Sequence, residues 1–149
     1  MVQKQKYKAL DPNFKEKIEE KLTRQFFMKH TGLRLTKIEE GLVEAELDIE
    51  EKHLQQNYFL HGGVMTTAVD LVMGFAAYSL CPPELGVVTA DLNISFLKPG
   101  IGTKLKAVGT VTKPGSSLYF CEANLYVLGK DGQWVHTNKA SSIMHTVKL

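Results

Sequence analysis

The sequence predicts an α+β fold in which an antiparallel sheet wraps one long, apolar helix. Three observations carry this expectation. Across residues 62–83 the only charged side chain is Asp70, so the helix expected at about 63–80 is apolar on almost every side and has to be covered all round. Six other runs have the length and alternation of strands, separated by turns rich in Gly, Pro and Asp. The elements come in the order helix, two strands, long helix, four strands, and a sheet is the partner able to bury such a helix.

The first element is expected at 11–30. Phe14, Ile18, Leu22, Phe26 and Phe27 recur at helical spacing with Lys and Glu between them. Asp11 followed by Pro12 fits an N-cap with proline at the first helical position, and Gly32 ends the helix. Strands follow at 33–39 and 42–49, joined through Glu40-Gly41. In the second, Val43, Ala45, Leu47 and Ile49 alternate with Glu44, Glu46 and Asp48, so one face is buried and the other wet. A loop over 50–60 leads into the long helix, which Pro82-Pro83 stops. The strand at 87–97 places Ala90, Leu92, Ile94 and Phe96 on one face and Thr89, Asp91, Asn93 and Ser95 on the other. Strands at 104–112, 118–128 and 134–147 complete the chain.

The 149 residues suit a single domain over 1–149, with 1–31 as a helical extension. Hydrophobic residues at 44% and charged residues at 23% are those of an ordinary globular protein. A formal charge of +2, and the lack of a Lys/Arg run interleaved with aromatics, argue against a nucleic-acid partner. The first ten residues are basic but lead into no apolar run of the signal-peptide kind, so a cytoplasmic location is expected. The apolar stretch from Gly62 approaches the roughly 20 residues of a membrane span. It opens on His-Gly-Gly, carries an acid near its middle and closes on Cys-Pro-Pro. A charge at the bilayer centre costs on the order of 3 kcal/mol, so a core helix is expected and no membrane partner.

The chemistry gathers at the start of the long helix. His61-Gly62-Gly63 puts two glycines where the first helical N–H groups have no internal acceptor and the helix dipole is positive. A free N–H there, such as that of Gly62, can hold a developing oxyanion; glycines at the same place also serve a tight turn into a helix. Asp70 lies about two turns further on, where burial without a partner is costly. It therefore faces a polar cavity, a partner subunit or a hydrogen-bond donor. Gln55 or Gln56, and Asn57, offer amide donors just before the glycines, and Thr89 is placed to hold a water. His53 and His61 form no metal motif, no GxSxG occurs, and Cys81 and Cys121 have no CxxC spacing. No metal is expected, and the two thiols read as buried side chains.

The segment HLQQNYFLHGGVMTTAVDLVMGFAAYSL, followed by GVVTADLNISFLKPG and KPGSSL, resembles the PaaI-like, phenylacetate-degradation branch of the hotdog-fold acyl-CoA thioesterases, from about residue 33 to the C-terminus. The resemblance implies a hotdog fold, a curved antiparallel sheet around a long central helix, here with an extra N-terminal helix. It implies a homodimer or a dimer of dimers, with Asp70 acting on a thioester held against Gly62 of the partner chain. It makes Gly62 the oxyanion donor, Asp70 the catalytic carboxylate, His61 an orienting residue and Thr89 a group that positions water or the acid. Gln55 falls where many members have Asn, and keeps the role of amide donor. Tyr58 stands where many members have Gly, which narrows the acyl pocket or moves the loop. Gly63, Asn57 and Tyr58 are then substrate-binding positions. Lys98, Lys104, Lys106 and Lys113, in or beside turns, are either solvated surface or contacts for the phosphates of coenzyme A.

The expected reaction is hydrolysis of an acyl-CoA thioester, with coenzyme A as part of the substrate and no separate cofactor. Asp70 is either the nucleophile or the general base for water. The rival enzyme is a hotdog hydratase or dehydratase, which needs a catalytic His paired with an acid. The rival without turnover is an acyl-CoA-binding regulatory domain.

Overall fold

A computed structural model describes residues 7–149; the basic residues 1–6 at the start of the expected extension lie outside them. The elements are α1 (Phe14–Thr23), α2 (Phe26–Thr31), β1 (Arg34–Glu39), β2 (Leu42–Asp48), α3 (Gly62–Tyr78), β3 (Leu85–Phe96), β4 (Lys104–Pro114), β5 (Leu118–Leu128) and β6 (Trp134–Lys148), with a 3-10 turn at Glu51–His53 before α3. The strands form one antiparallel sheet in the order β1-β2-β4-β5-β6-β3. One face of the sheet packs on α3, as the element order predicts, and this is the hotdog architecture that the resemblance implies.

The inward row of β2 is the one that the alternation predicts: Val43, Ala45 and Leu47 are buried. Across the sheet Val43 pairs with Gly109, Gly109 with Ala123, and Ala123 with Ala140. This row of small residues lets α3 lie almost on the sheet backbone. A Cβ at Gly109 would sit 2.6 Å from the carbonyl carbon of Val72 and 2.8 Å from the nitrogen of Met73. Above the row, Ala68, Val69, Val72, Met73 and Ala76 are fully buried, so the centre of the core is the α3–sheet contact.

The N-terminal extension differs from expectation. The single helix over 11–30 is two helices broken at Arg24 and Gln25. The Thr23 hydroxyl donates to the Glu20 carbonyl at 2.7 Å, and the Phe26 N–H donates to the Arg24 carbonyl, which ends α1 and resets the helical phase. Phe14, Ile18 and Met28 are buried, whereas Phe26 and Phe27 are 73% and 58% exposed. Asp11 is not the N-cap. Asn13 takes that position, and the Asp11 carboxylate instead accepts from the Asn13 N–H and pairs with Lys17, which holds its carboxyl below the usual range. Gly32 ends α2 in the left-handed conformation, φ 82°.

Strand β3 departs from simple alternation at one point. Thr89 pairs with Met144 but Asp91 with Ile143, so Ala90 is an extra residue bulged out of the ladder. Before the bulge Thr89 faces inward with buried Met144. After it Leu92 and Ile94 face inward with buried Ser142 and Ala140. Thr89 therefore does not share a face with Asp91, Asn93 and Ser95, as strict alternation predicts; it points toward α3. Among the described residues no helix is long and apolar enough to cross a membrane.

Candidate active site

The turn into α3 is built from the loop beneath it. His53 is buried and works as a strut: its Nδ1 accepts from the Glu50 N–H at 2.9 Å, its Nε2–H donates to the Thr31 carbonyl at 2.7 Å, and its own carbonyl accepts from the His61 N–H at 2.8 Å. The last bond ties the His-Gly-Gly turn to the backbone of a residue whose side chain is buried. Nothing in the spacing of His53 signals this, because its partners lie on α2 and in the loop. Leu60 completes the anchor by donating to the Gly100 carbonyl at 2.8 Å.

His61 is the N-cap of α3. Its Nδ1 accepts from the Gly63 N–H at 2.8 Å, and its carbonyl accepts from the Val64 N–H at 3.0 Å. Among the described residues the Gly62 N–H has no acceptor. The cap thus leaves one first-turn donor unspent, at the positive end of the helix dipole. A Cβ at Gly63 would sit 3.0 Å from the His61 Nδ1, and one at Gly62 would sit 3.3 Å from the Phe96 ring, so both glycines leave room for these neighbours. Replacing His61 with Ala removes the cap. The expected result is a loss of about 1 kcal/mol in stability, read as a lower urea midpoint with an unchanged slope.

The preceding loop is tightly folded. The Gln55 N–H donates to the Phe59 carbonyl at 2.8 Å and the Tyr58 N–H to the Gln55 carbonyl at 2.9 Å. The Gln55 side-chain carbonyl accepts from the Asn57 N–H, which leaves its amide NH2 as the end able to donate. Asn57 is exposed. Tyr58 is 77% exposed and holds φ 63°, a conformation glycine adopts freely and tyrosine does not. Tyr58 thus holds a glycine-type backbone at a position where the resemblance implies glycine in many members. Tyr58→Gly is expected to raise stability by up to about 1 kcal/mol, measured by chemical denaturation. A lower stability would mean that the ring, despite its exposure, holds the loop.

Asp70 is half-buried on the wall of a cavity of about 850 Å³. The Thr89 hydroxyl donates to its Oδ1 at 2.7 Å, the contact that the β3 bulge makes possible. Around the carboxylate the cavity is lined by Thr66, Thr67 and Thr89, and further along by Phe75, Tyr78 and Val87. Lys21, Arg24, Gln25, Phe27 and Met28 form its roof; the sequence motifs pointed to none of these, because the extension lies outside the pattern they belong to. His61 and Gly63 line a second cavity of about 430 Å³, and Thr67 and Phe27 border both. Gly62 and Asp70 are eight residues apart on one helix, or about 12 Å along its axis. Within one chain they do not converge on a single carbonyl group.

Lys98 and Lys113 line neither cavity. Lys104 pairs with Glu46 and Asp48, and Lys106 with Glu44, on the outer side of β2 and β4. The thiols of Cys81 and Cys121 are buried and pushed up to about 11 and about 12 by desolvation, which makes them poor nucleophiles. Among the described residues no group of three or more His, Cys, Asp or Glu side chains is placed to hold a metal ion.

The family model of the thioesterase superfamily matches residues 57–131, half of the chain. The chain belongs to the thioesterase superfamily. The match takes in the His61 cap, both glycines, Asp70 and Thr89, and leaves Gln55 and the N-terminal helices outside. Human acyl-coenzyme A thioesterase 13 is 34% identical over 88 residues, 57% of this chain and 61% of that protein. The chain spans less than two thirds of the length of the curated relatives it matches. A crystal structure of a thioesterase family protein from Silicibacter pomeroyi superposes with a TM-score of 0.88 at 28% identity, covering 91% of this chain and 99% of that one. The PaaI protein of the E. coli phenylacetic acid degradation operon shares the superfamily fold, with a TM-score of 0.80 at 17% identity over 93% and 96% of the two chains.

Proposed function

We propose that the chain is an acyl-CoA thioesterase, releasing a free acid and coenzyme A. One observation carries the reading: the unspent Gly62 N–H at the start of α3 and the Thr89-bound carboxylate of Asp70 are the two functions that acyl transfer to water requires. The first stabilises the oxyanion that forms on the thioester carbonyl, an interaction worth roughly 3 kcal/mol of barrier. The second drives the attack. As a base, Asp70 takes a proton from water while the new C–O bond forms; collapse of the intermediate then breaks the C–S bond, and the thiolate receives the proton. As a nucleophile, its oxygen bonds to the acyl carbon as the C–S bond breaks and the coenzyme A thiolate leaves; water then adds to one carbonyl of the anhydride, releasing the free acid and the Asp70 carboxylate, and the remaining proton goes to the thiolate. The Gln55 side-chain amide NH2 is a second donor to the oxyanion.

The separation of about 12 Å along α3 supports a site composed of two chains, Asp70 from one protomer and the Gly62 turn from its partner, in a homodimer or a dimer of dimers. The hydrogen bond from the Gly63 N–H to His61 Nδ1 speaks for an orienting His and against the proton-shuttling His of a hydratase. The curated relative named for acyl-coenzyme A supports coenzyme A as the carrier. The test is a hydrolysis panel from acetyl- to palmitoyl-CoA, followed by release of free thiol. Turnover of at least one thioester is expected; binding without turnover across the panel would favour a regulatory acyl-CoA-binding domain.

A further inference from the structure

Gly74 is a glycine that the fold does not ask for. It lies inside α3, where glycine lowers helix stability relative to alanine. Its backbone is not among those with positive φ, and a Cβ built on it meets nothing within 4 Å. Gly109 shows what a structural requirement looks like, with backbone atoms of α3 less than 3 Å from its would-be Cβ. Gly74 faces the cavity instead. It sits one turn, about 5.4 Å, beyond Asp70 and one turn before Tyr78, on the same side of the helix.

Beside Asp70 the cavity wall carries Thr66, Thr67 and Thr89, with Met144 against the Thr89 hydroxyl; past Gly74 it is Phe75, Val87 and Leu149, ending at the Tyr78 ring, over which the Lys21 ammonium lies at 5.0 Å. A thioester with its carbonyl at Asp70 sends its apolar tail past residue 74 and under the N-terminal helices. From Asp70 to Tyr78 the helix offers about 12 Å of wall, and an open cavity of about 850 Å³ is within the size range of sites for organic ligands. We infer that Gly74 determines specificity: by lacking a side chain it keeps the cavity continuous from Asp70 to Tyr78, and so selects acyl groups of medium length or longer over acetyl. This rests on the thioesterase reading for its substrate, and on the cavity alone for its geometry.

The experiment compares octanoyl-CoA with acetyl-CoA in Gly74→Ala and Gly74→Leu. Dissociation constants come from titration calorimetry in an Asp70→Asn background, and kcat/KM values from the Asp70 chain. The unsubstituted cavity is expected to bind octanoyl-CoA at least tenfold more tightly than acetyl-CoA. Gly74→Leu is expected to erase that preference and Gly74→Ala to reduce it severalfold, while Gly74→Ala also raises Tm by about 2–4 °C. An octanoyl-to-acetyl ratio unchanged in both variants overturns the inference, as does an unsubstituted chain without the preference. If Gly74→Leu does not fold, the Ala variant decides alone. If the Asp70 chain hydrolyses neither thioester, the thioesterase reading fails, while the binding ratio still decides the role of Gly74.

Discussion

Asp70→Asn is expected to lower kcat for acyl-CoA hydrolysis by about 10³-fold, the scale on which a positioned base or nucleophile acts. Its Tm should stay within a degree or so of the parent. The reason for the second half is specific: the Thr89 hydroxyl donates to Oδ1 of Asp70 at 2.7 Å, and the amide oxygen of Asn accepts the same bond. The substitution removes basicity and nucleophilicity but keeps the acceptor. Hydrolysis at the parent rate would remove Asp70 from the chemistry. A large loss of stability would show that the carboxylate is a structural partner of β3. Single turnover of the parent chain in ¹⁸O-water tests for the covalent route: an anhydride opened at the Asp70 carboxyl carbon delivers unlabelled oxygen to the first product and label to Asp70, whereas direct attack of water on the thioester labels the product and leaves Asp70 unlabelled.

The second large effect concerns the fold. Gly109→Val is expected to destabilise the chain by at least about 3 kcal/mol, in the upper part of the range for overpacking. The atoms that a Cβ would strike are backbone atoms at Val72 and Met73, both fully buried. No rotamer change relieves a clash with a helix backbone, so α3 has to lift from the sheet. Since native stability is commonly 5–15 kcal/mol, such a loss lowers the urea midpoint substantially. Gly109→Ala should already show part of it, opposite in sign to Gly74→Ala. An unchanged midpoint for Gly109→Val would mean that α3 has freedom to move away from β4.

The contrast between these glycines marks what the sequence could convey. Alternation in β2 and the apolar run of α3 are local, and both were legible, β2 with its faces and α3 without them. The His61-Gly62-Gly63 turn and Asp70 also stood out, because two glycines and one charge interrupt an apolar helix. The parts that were not legible depend on partners distant in sequence. His53 looks like a loop histidine until Thr31 and His61 are brought to it. The break at Arg24 and Gln25 carries neither Gly nor Pro, and Phe26 and Phe27 continue the helical spacing straight through it. The roof of the cavity belongs to a segment whose sequence resembles nothing in the motif. Gly74 and Gly109 are identical as letters, and only the space around each shows that one holds the helix down while the other keeps a cavity open.

The bulge at Ala90 has a consequence for what the chain tolerates. Thr89 and Leu92 are three positions apart and still face the same way, so the strand changes parity once between the site and its far end. Length, more than side-chain identity, protects the carboxylate's partner here. Ala90 is exposed, and another residue at that position leaves the phase intact. Losing it would restore strict alternation, turning either Thr89 away from Asp70 or Leu92 and Ile94 away from the core. The strand thus has a reading frame, and one residue without a ladder partner keeps both halves in register with the helix they face.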